Sequence, residues 1–134
     1  MIDSPWDIKF FKIGGISFDL NTIEHDILRK QFNEPRIHFA INCASVSCPR
    51  LLNQAYRPET LESQLDLQTK YFIHNPIKNV VTDRELKLSK IFDWFAVDLK
   101  NAVGGVKPFI QSYIDDDISE APISFLNYGW NLNN

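Results

Sequence analysis

Apolar residues recur along this chain from Phe10 to Leu132, but only in short runs, many of them cut off by glycine, proline or asparagine. The strongest breaks are Gly14-Gly15, Asn33-Glu34-Pro35, Asn75-Pro76 and Gly104-Gly105. Glycine tolerates the positive φ of tight turns, and proline stops a helix or biases its predecessor towards extended backbone. Such punctuation allows short strands and helices only, and no run approaches the roughly 20 apolar residues that span a bilayer.

The order of those elements follows from their periodicity. The runs flanking Gly14-Gly15 predict a hairpin over Lys9 to Leu20. A helix is expected from Asn21 to Phe32, with Asn21 as cap, Glu24 at the reciprocal capping-box position and an apolar stripe of Leu20, Ile23, Ile27 and Leu28. Ile37 to Ile41 reads as a buried strand opening into a loop that ends at Cys48-Pro49. A second helix, Pro58 to His74, turns Leu61, Leu65, Phe72 and Ile73 inward. A second hairpin fits Asn79 to Leu88, and Ser89 caps a helix reaching Ala102. Gly104-Gly105 then breaks the chain before a shorter helix through Tyr113. Asp115-Asp116-Asp117 reads as a solvated turn. The tail Ile123 to Leu132 is too apolar for a loose terminus and is expected to dock as an extended segment.

Strands interleaved with helices predict an α+β fold, with short antiparallel hairpins and a small sheet packed against several helices. A length of 134 residues, 44% of them hydrophobic, fits one domain over residues 1–134. The net charge of −3 and the dispersal of the 14 basic residues exclude the footprint of a nucleic-acid binder. Met1-Ile2-Asp3-Ser4-Pro5-Trp6 has neither the charged nor the apolar region of an export signal. Compartment is left open.

Chemistry concentrates at one junction, where His38, Cys43 and Cys48 stand close in sequence with Ser45 and Ser47 between the thiols. A cysteine beside an imidazole can be held as thiolate, the nucleophilic form. The competing account makes His38 a core histidine and the cysteines small buried hydrophobes. The spacing is too long for C-x-x-C but allows a local disulfide. Zinc would draw on His25, His38, Cys43 and Cys48, but their spacing fits no paired-ligand pattern, and no metal is assigned.

Glu24-His25, with Arg29 one turn on, reads either as a capping and charge-pair cluster or as a source of the general base. His25 and His38 therefore compete for that role. His74 reads as a dipole partner at a helix C-terminus. Asp93 and Asp98, five residues apart, share a helical face poorly and read as surface or capping charges. Neither Gly-Gly pair fits a phosphate-binding loop, so no cofactor is expected.

The run Ile37-His38-Phe39-Ala40-Ile41-Asn42-Cys43-Ala44-Ser45-Val46-Ser47-Cys48-Pro49 resembles the central motif of the domain-of-unknown-function family 547 of bacteria and plants. Matching segments follow in the family's order: Phe10 to Gly15, Ile23-Glu24-His25 with Leu28-Arg29, Ala55-Tyr56, Leu88 to Phe92 with Trp94, and Tyr128, Trp130 and Leu132-Asn133. The resemblance implies a mixed α/β domain with His25, His38, Cys43 and Cys48 at characteristic positions, and no established reaction. It also implies that the chain is the C-terminal majority of a domain whose first helical part is lacking. Gly129 stands where family members tend to have an acidic residue.

Two functions compete on this reading. One is a thiol-dependent hydrolase or transferase with Cys43 or Cys48 as nucleophile, His25 or His38 as base, Arg29 orienting a substrate or carboxylate, and Glu24 as a further candidate catalytic residue. The other is a non-catalytic interaction or structural module, its cysteines buried or joined. The partner would be a small molecule or a protein.

Overall fold

A computed structural model describes residues 4–133. Met1, Ile2 and Asp3, part of the segment on which the absence of an export signal was read, lie outside the described residues. The chain divides into two compact units, Met1–Glu34 and Pro35–Asn134.

In the first unit β1 (Phe11–Ile13) and β2 (Ile16–Phe18) form the expected antiparallel hairpin. Gly14 and Gly15 have φ of 57° and 82°, the left-handed geometry that a two-residue turn requires. Phe11 faces Phe18 in the register, their rings stacked at 6.0 Å. The following helix departs from expectation. Thr22–Leu28 winds as a π-helix before α1 (Arg29–Gln31), so that the Arg29 amide donates to the Glu24 carbonyl. Asn21 makes no capping bond; Asp19 takes that role, accepting from the Thr22 amide at 2.6 Å and the Thr22 hydroxyl at 3.0 Å.

The second unit opens with a correction. The expected strand at Ile37 to Ile41 is a 3₁₀ helix, Pro35–Phe39, in which the Ile37 carbonyl accepts from both the Ala40 and Ile41 amides at 3.0 Å. A short apolar run does not distinguish a buried strand from a buried helical turn. Here Pro35 fixes the first φ and the backbone bonds locally.

Helix α2 (Leu61–Ile73) turns Leu65, Phe72 and Ile73 into the core, whereas Leu61 is exposed. Its inward face also carries Gln64 and Gln68, whose amides hold the irregular segment before the helix. Gln68 accepts from Arg50 Nε at 2.8 Å and donates to the Arg50 carbonyl at 2.9 Å. Gln64 donates to the Ala55 carbonyl and accepts from the Arg57 amide. Buried amides are tolerable because both ends are bonded.

Strands β3 (Val80–Val81) and β4 (Leu86–Leu88) form the second hairpin, antiparallel as expected. Strand β5 (Ile123–Phe125), in the tail expected to dock as an extended segment, pairs parallel to β4 and gives the order β3-β4-β5, a mixed sheet beside the expected antiparallel hairpins. On the central strand Leu86 and Leu88 are fully buried. Ser89 accepts from the Ile91 amide and caps α3 (Lys90–Trp94). The helix expected to run unbroken to Ala102 is interrupted at Phe95, and α4 (Ala96–Val103) continues to Gly104, whose φ of 89° ends it. Helix α5 (Val106–Gln111) follows. Phe39 sits among Phe72, Phe92 and Phe109 with ring centroids 5.2, 5.3 and 5.6 Å away. Each such ring stabilises the fold by roughly 1.5–3 kcal/mol of apolar burial. Among the described residues the fold is α+β, with two small sheets and more helix than strand.

Candidate functional site

The loop from Asn42 to Pro49 closes on itself. The Asn42 side chain donates to the Pro49 carbonyl at 2.6 Å and accepts from the Ala44 amide at 2.7 Å. Ala44 takes a φ of 64°, unusual for a residue with a Cβ, and the Cys48 amide donates to the Ser45 carbonyl at 3.0 Å. These bonds bring the Cys43 and Cys48 Cα atoms to 6.2 Å, and the two cysteines are joined as a disulfide. Neither is a free thiol, which corrects the expectation of a Cys/His pair with one of them as nucleophile: the thiolate lone pair that such a pair requires is engaged in the S–S bond.

The tail docks here. The Val46 amide donates to the Asn131 carbonyl and the Asn133 amide to the Ala44 carbonyl, both at 2.8 Å, with Ser45 and Leu132 bridged antiparallel. The Gly129 amide donates to Ser47 Oγ at 2.9 Å. A Cβ on Gly129 would lie 2.8 Å from Val46 Cγ1, so the close approach explains a glycine where the family resemblance anticipates an acidic residue.

Tyr128 is the residue that sequence reasoning missed. Its hydroxyl oxygen accepts from Ser45 Oγ at 2.8 Å and lies 3.3 Å from Cys48 Sγ and 3.5 Å from Cys43 Sγ. Burial pushes the phenol up, and the Ser45 bond opposes that in part. The Tyr128 ring lies 4.8 Å from Trp94 and 4.7 Å from Trp130, and both tryptophans are substantially exposed. In sequence Tyr128 shows as one apolar residue of the tail and as a position of the family resemblance, with nothing to tie its hydroxyl to the cysteines.

His38 is buried, with Nε2 2.8 Å from Asp98 Oδ2 and its ring stacked on Phe95 at 3.7 Å. Asp98, which reads in sequence as a surface or capping charge, is therefore its partner on α4. His25, in the first unit, receives the Arg29 guanidinium on Nδ1 at 3.0 Å. Glu24 precedes it on the same π-helix. His74 ends α2 and approaches the Tyr113 carbonyl at 3.1 Å. A depression of about 630 Å³ lined by His74, Asn79, Tyr113, Asp115 and Asp116, among others, contains neither cysteine. Among the described residues no three His, Cys, Asp or Glu side chains converge as a metal site, and no helix is long and apolar enough to cross a membrane.

A family model described as a protein of unknown function, DUF547, matches residues 3–73. That span holds the first hairpin, the π-helix and the whole disulfide loop, but neither Asp98 nor Tyr128. No curated protein and no solved structure matches the chain.

Proposed function

Since this chain belongs to the DUF547 family of proteins of unknown function, we propose its role from its own geometry: a non-catalytic interaction module whose Cys43–Cys48 bond fixes a loop for the tail to dock on. The observation that carries this reading is the disulfide itself, with Cys48 only 3% exposed. A joined and buried cysteine has no thiolate to offer a substrate. The exposed Trp94–Trp130 pair, stacked at 5.7 Å, supplies a rigid aromatic face of the kind protein interfaces favour.

The test is iodoacetamide labelling of the folded, unreduced protein, with sites assigned by mass spectrometry. No labelling, and an intact mass lower by two hydrogens than the free dithiol, is the expected result. Rapid labelling of either cysteine without reductant would refute the module. The competing reading, a thiol-dependent hydrolase or transferase, applies to the reduced chain alone. There Cys43, the more exposed cysteine, would be the nucleophile and His38, in the same unit, the base. Fast labelling of Cys43 at mildly acidic pH after reduction, lost in His38→Ala, would favour it.

A further inference from the structure

The two sulfurs of the disulfide are chemically unequal. Cys48 Sγ receives the Cys43 backbone N–H at 3.0 Å and has the Tyr128 hydroxyl at 3.3 Å. Cys43 Sγ has Ser45 Oγ at 3.4 Å and Tyr128 Oη at 3.5 Å. The Ser45 hydroxyl donates to the Tyr128 oxygen, so the single Tyr128 proton remains to be donated, and Cys48 Sγ is the nearer acceptor. That phenol, its pKa raised by burial from an ordinary 10.0, is protonated at neutral pH. Lys78 adds a cation on the same residue, its Nζ donating to the Cys48 carbonyl. Exposure runs the other way: Cys48 is buried, whereas Cys43 is partly exposed and followed by the exposed Ala44.

In thiol–disulfide exchange the attacked sulfur must be reachable, and the departing sulfur leaves faster the better its thiolate is stabilised. Hydrogen bonds to the charged form provide that stabilisation. We infer that the Cys43–Cys48 bond is an exchange site for a low-molecular-weight thiol, which bonds to Cys43 while Cys48 departs as a thiolate held by the Cys43 N–H and the Tyr128 hydroxyl.

The small thiol attacks as its own thiolate: its lone pair forms the new S–S bond to Cys43 Sγ, and the electron pair of the old bond leaves on Cys48 Sγ. A second thiol, attacking the external sulfur as its thiolate, then releases Cys43. The protein disulfide is reduced by two electrons, and two small thiols are oxidised to their disulfide. This inference rests on the bonded cysteines of the module reading and adds regulation to it, because the loop that the bond closes carries the tail's docking groups.

The experiment treats the oxidised protein with reduced glutathione at neutral pH, quenches with acid, alkylates with N-ethylmaleimide and maps both cysteines by mass spectrometry. Glutathione is expected on Cys43 in about tenfold excess over Cys48, with maleimide on Cys48. Tyr128→Phe is expected to slow mixed-disulfide formation by about tenfold, the rate equivalent of one hydrogen bond to a charged group. Glutathione on Cys48, an equal split, or an unchanged rate in a folded Tyr128→Phe variant would overturn the inference. Should that variant not fold, the distribution on the unaltered protein decides. Intact mass before glutathione is added separates the two readings: unbonded cysteines refute the module, and a bonded protein modified at the wrong sulfur refutes only the exchange site.

Discussion

His38 and Asp98 lie 60 positions apart in sequence, yet Nε2 of one stands 2.8 Å from Oδ2 of the other. The contact ties the 3₁₀ turn Pro35–Phe39 to α4 immediately after the helix breaks at Phe95, and the Phe95 ring covers the imidazole. Removing the carboxylate strips a buried imidazole of a charge-assisted bond. Asp98→Ala is expected to cost about 2 kcal/mol, read as a lower urea midpoint at unchanged slope. An unchanged midpoint would mean that the pair does not bear on stability.

The Cys43–Cys48 bond closes a small loop, so its effect on the unfolded chain is modest. Replacing both cysteines by serine is expected to cost about 2 kcal/mol in denaturant unfolding. Reducing agent should then destabilise the unaltered protein by a similar amount and leave the double variant unmoved. Equal sensitivity in both would count against the bond.

Gly129 tests the tail's approach. Its φ is not left-handed, so strain plays no part, and the 2.8 Å approach of a Cβ to Val46 Cγ1 decides the outcome. Gly129→Ala is expected to lose about 1–3 kcal/mol by overpacking, measured as a fall in melting temperature. A larger loss in Gly129→Asp would follow from the same contact.

Alkaline pH should unfold the protein through its tyrosines. Burial raises the phenols of Tyr56, Tyr113 and Tyr128 above their ordinary 10.0, so the folded chain keeps protons that the unfolded chain gives up. Their contribution is complete below pH 10 and lost as pH climbs through the folded values. Lys78 opposes this lower in the range: burial depresses its value from 10.5, so stability rises as pH climbs from that depressed value towards 10.5. Urea midpoints across the alkaline range should therefore fall steeply only above pH 10, and less steeply in Tyr128→Phe.

At the acid end, two bonds from Thr22 hold the Asp19 carboxyl below its ordinary 3.8. Its contribution is present above pH 3.8 and lost as pH falls through the folded value. Asp19→Ala should lower the melting temperature at neutral pH and leave it unchanged once the carboxyl is protonated in both states.

Much of this was legible in the residues. Gly14-Gly15 marks its hairpin, Ser89 its helix cap and Gly104 its helix end, because each acts on its nearest neighbours. The cysteine spacing left a local disulfide open but could not select it, since the choice depends on how Asn42 and Ala44 fold the loop. Asp98 has Asp93 as its acidic neighbour in sequence, and nothing local points from it to His38, 60 positions away. The parallel pairing of β5 with β4 has no turn to announce it. Polar residues on the buried face of α2 gave no hint that Gln64 and Gln68 clasp the segment before them. The Tyr128 hydroxyl could be placed on the sulfurs only once the tail had been folded back.

The disulfide and its cover belong to different moments in the life of the chain. Cys43 and Cys48 are five residues apart and can meet as soon as both have been synthesised, whereas Tyr128 follows Cys48 by 80 residues. At ribosomal speeds that interval is on the order of ten seconds. During it the sulfurs stand open to whatever oxidant or thiol surrounds the nascent chain. Whether the loop is closed when the tail arrives is thus set by the chemistry of the place of synthesis, before the finished fold begins to shelter Cys48.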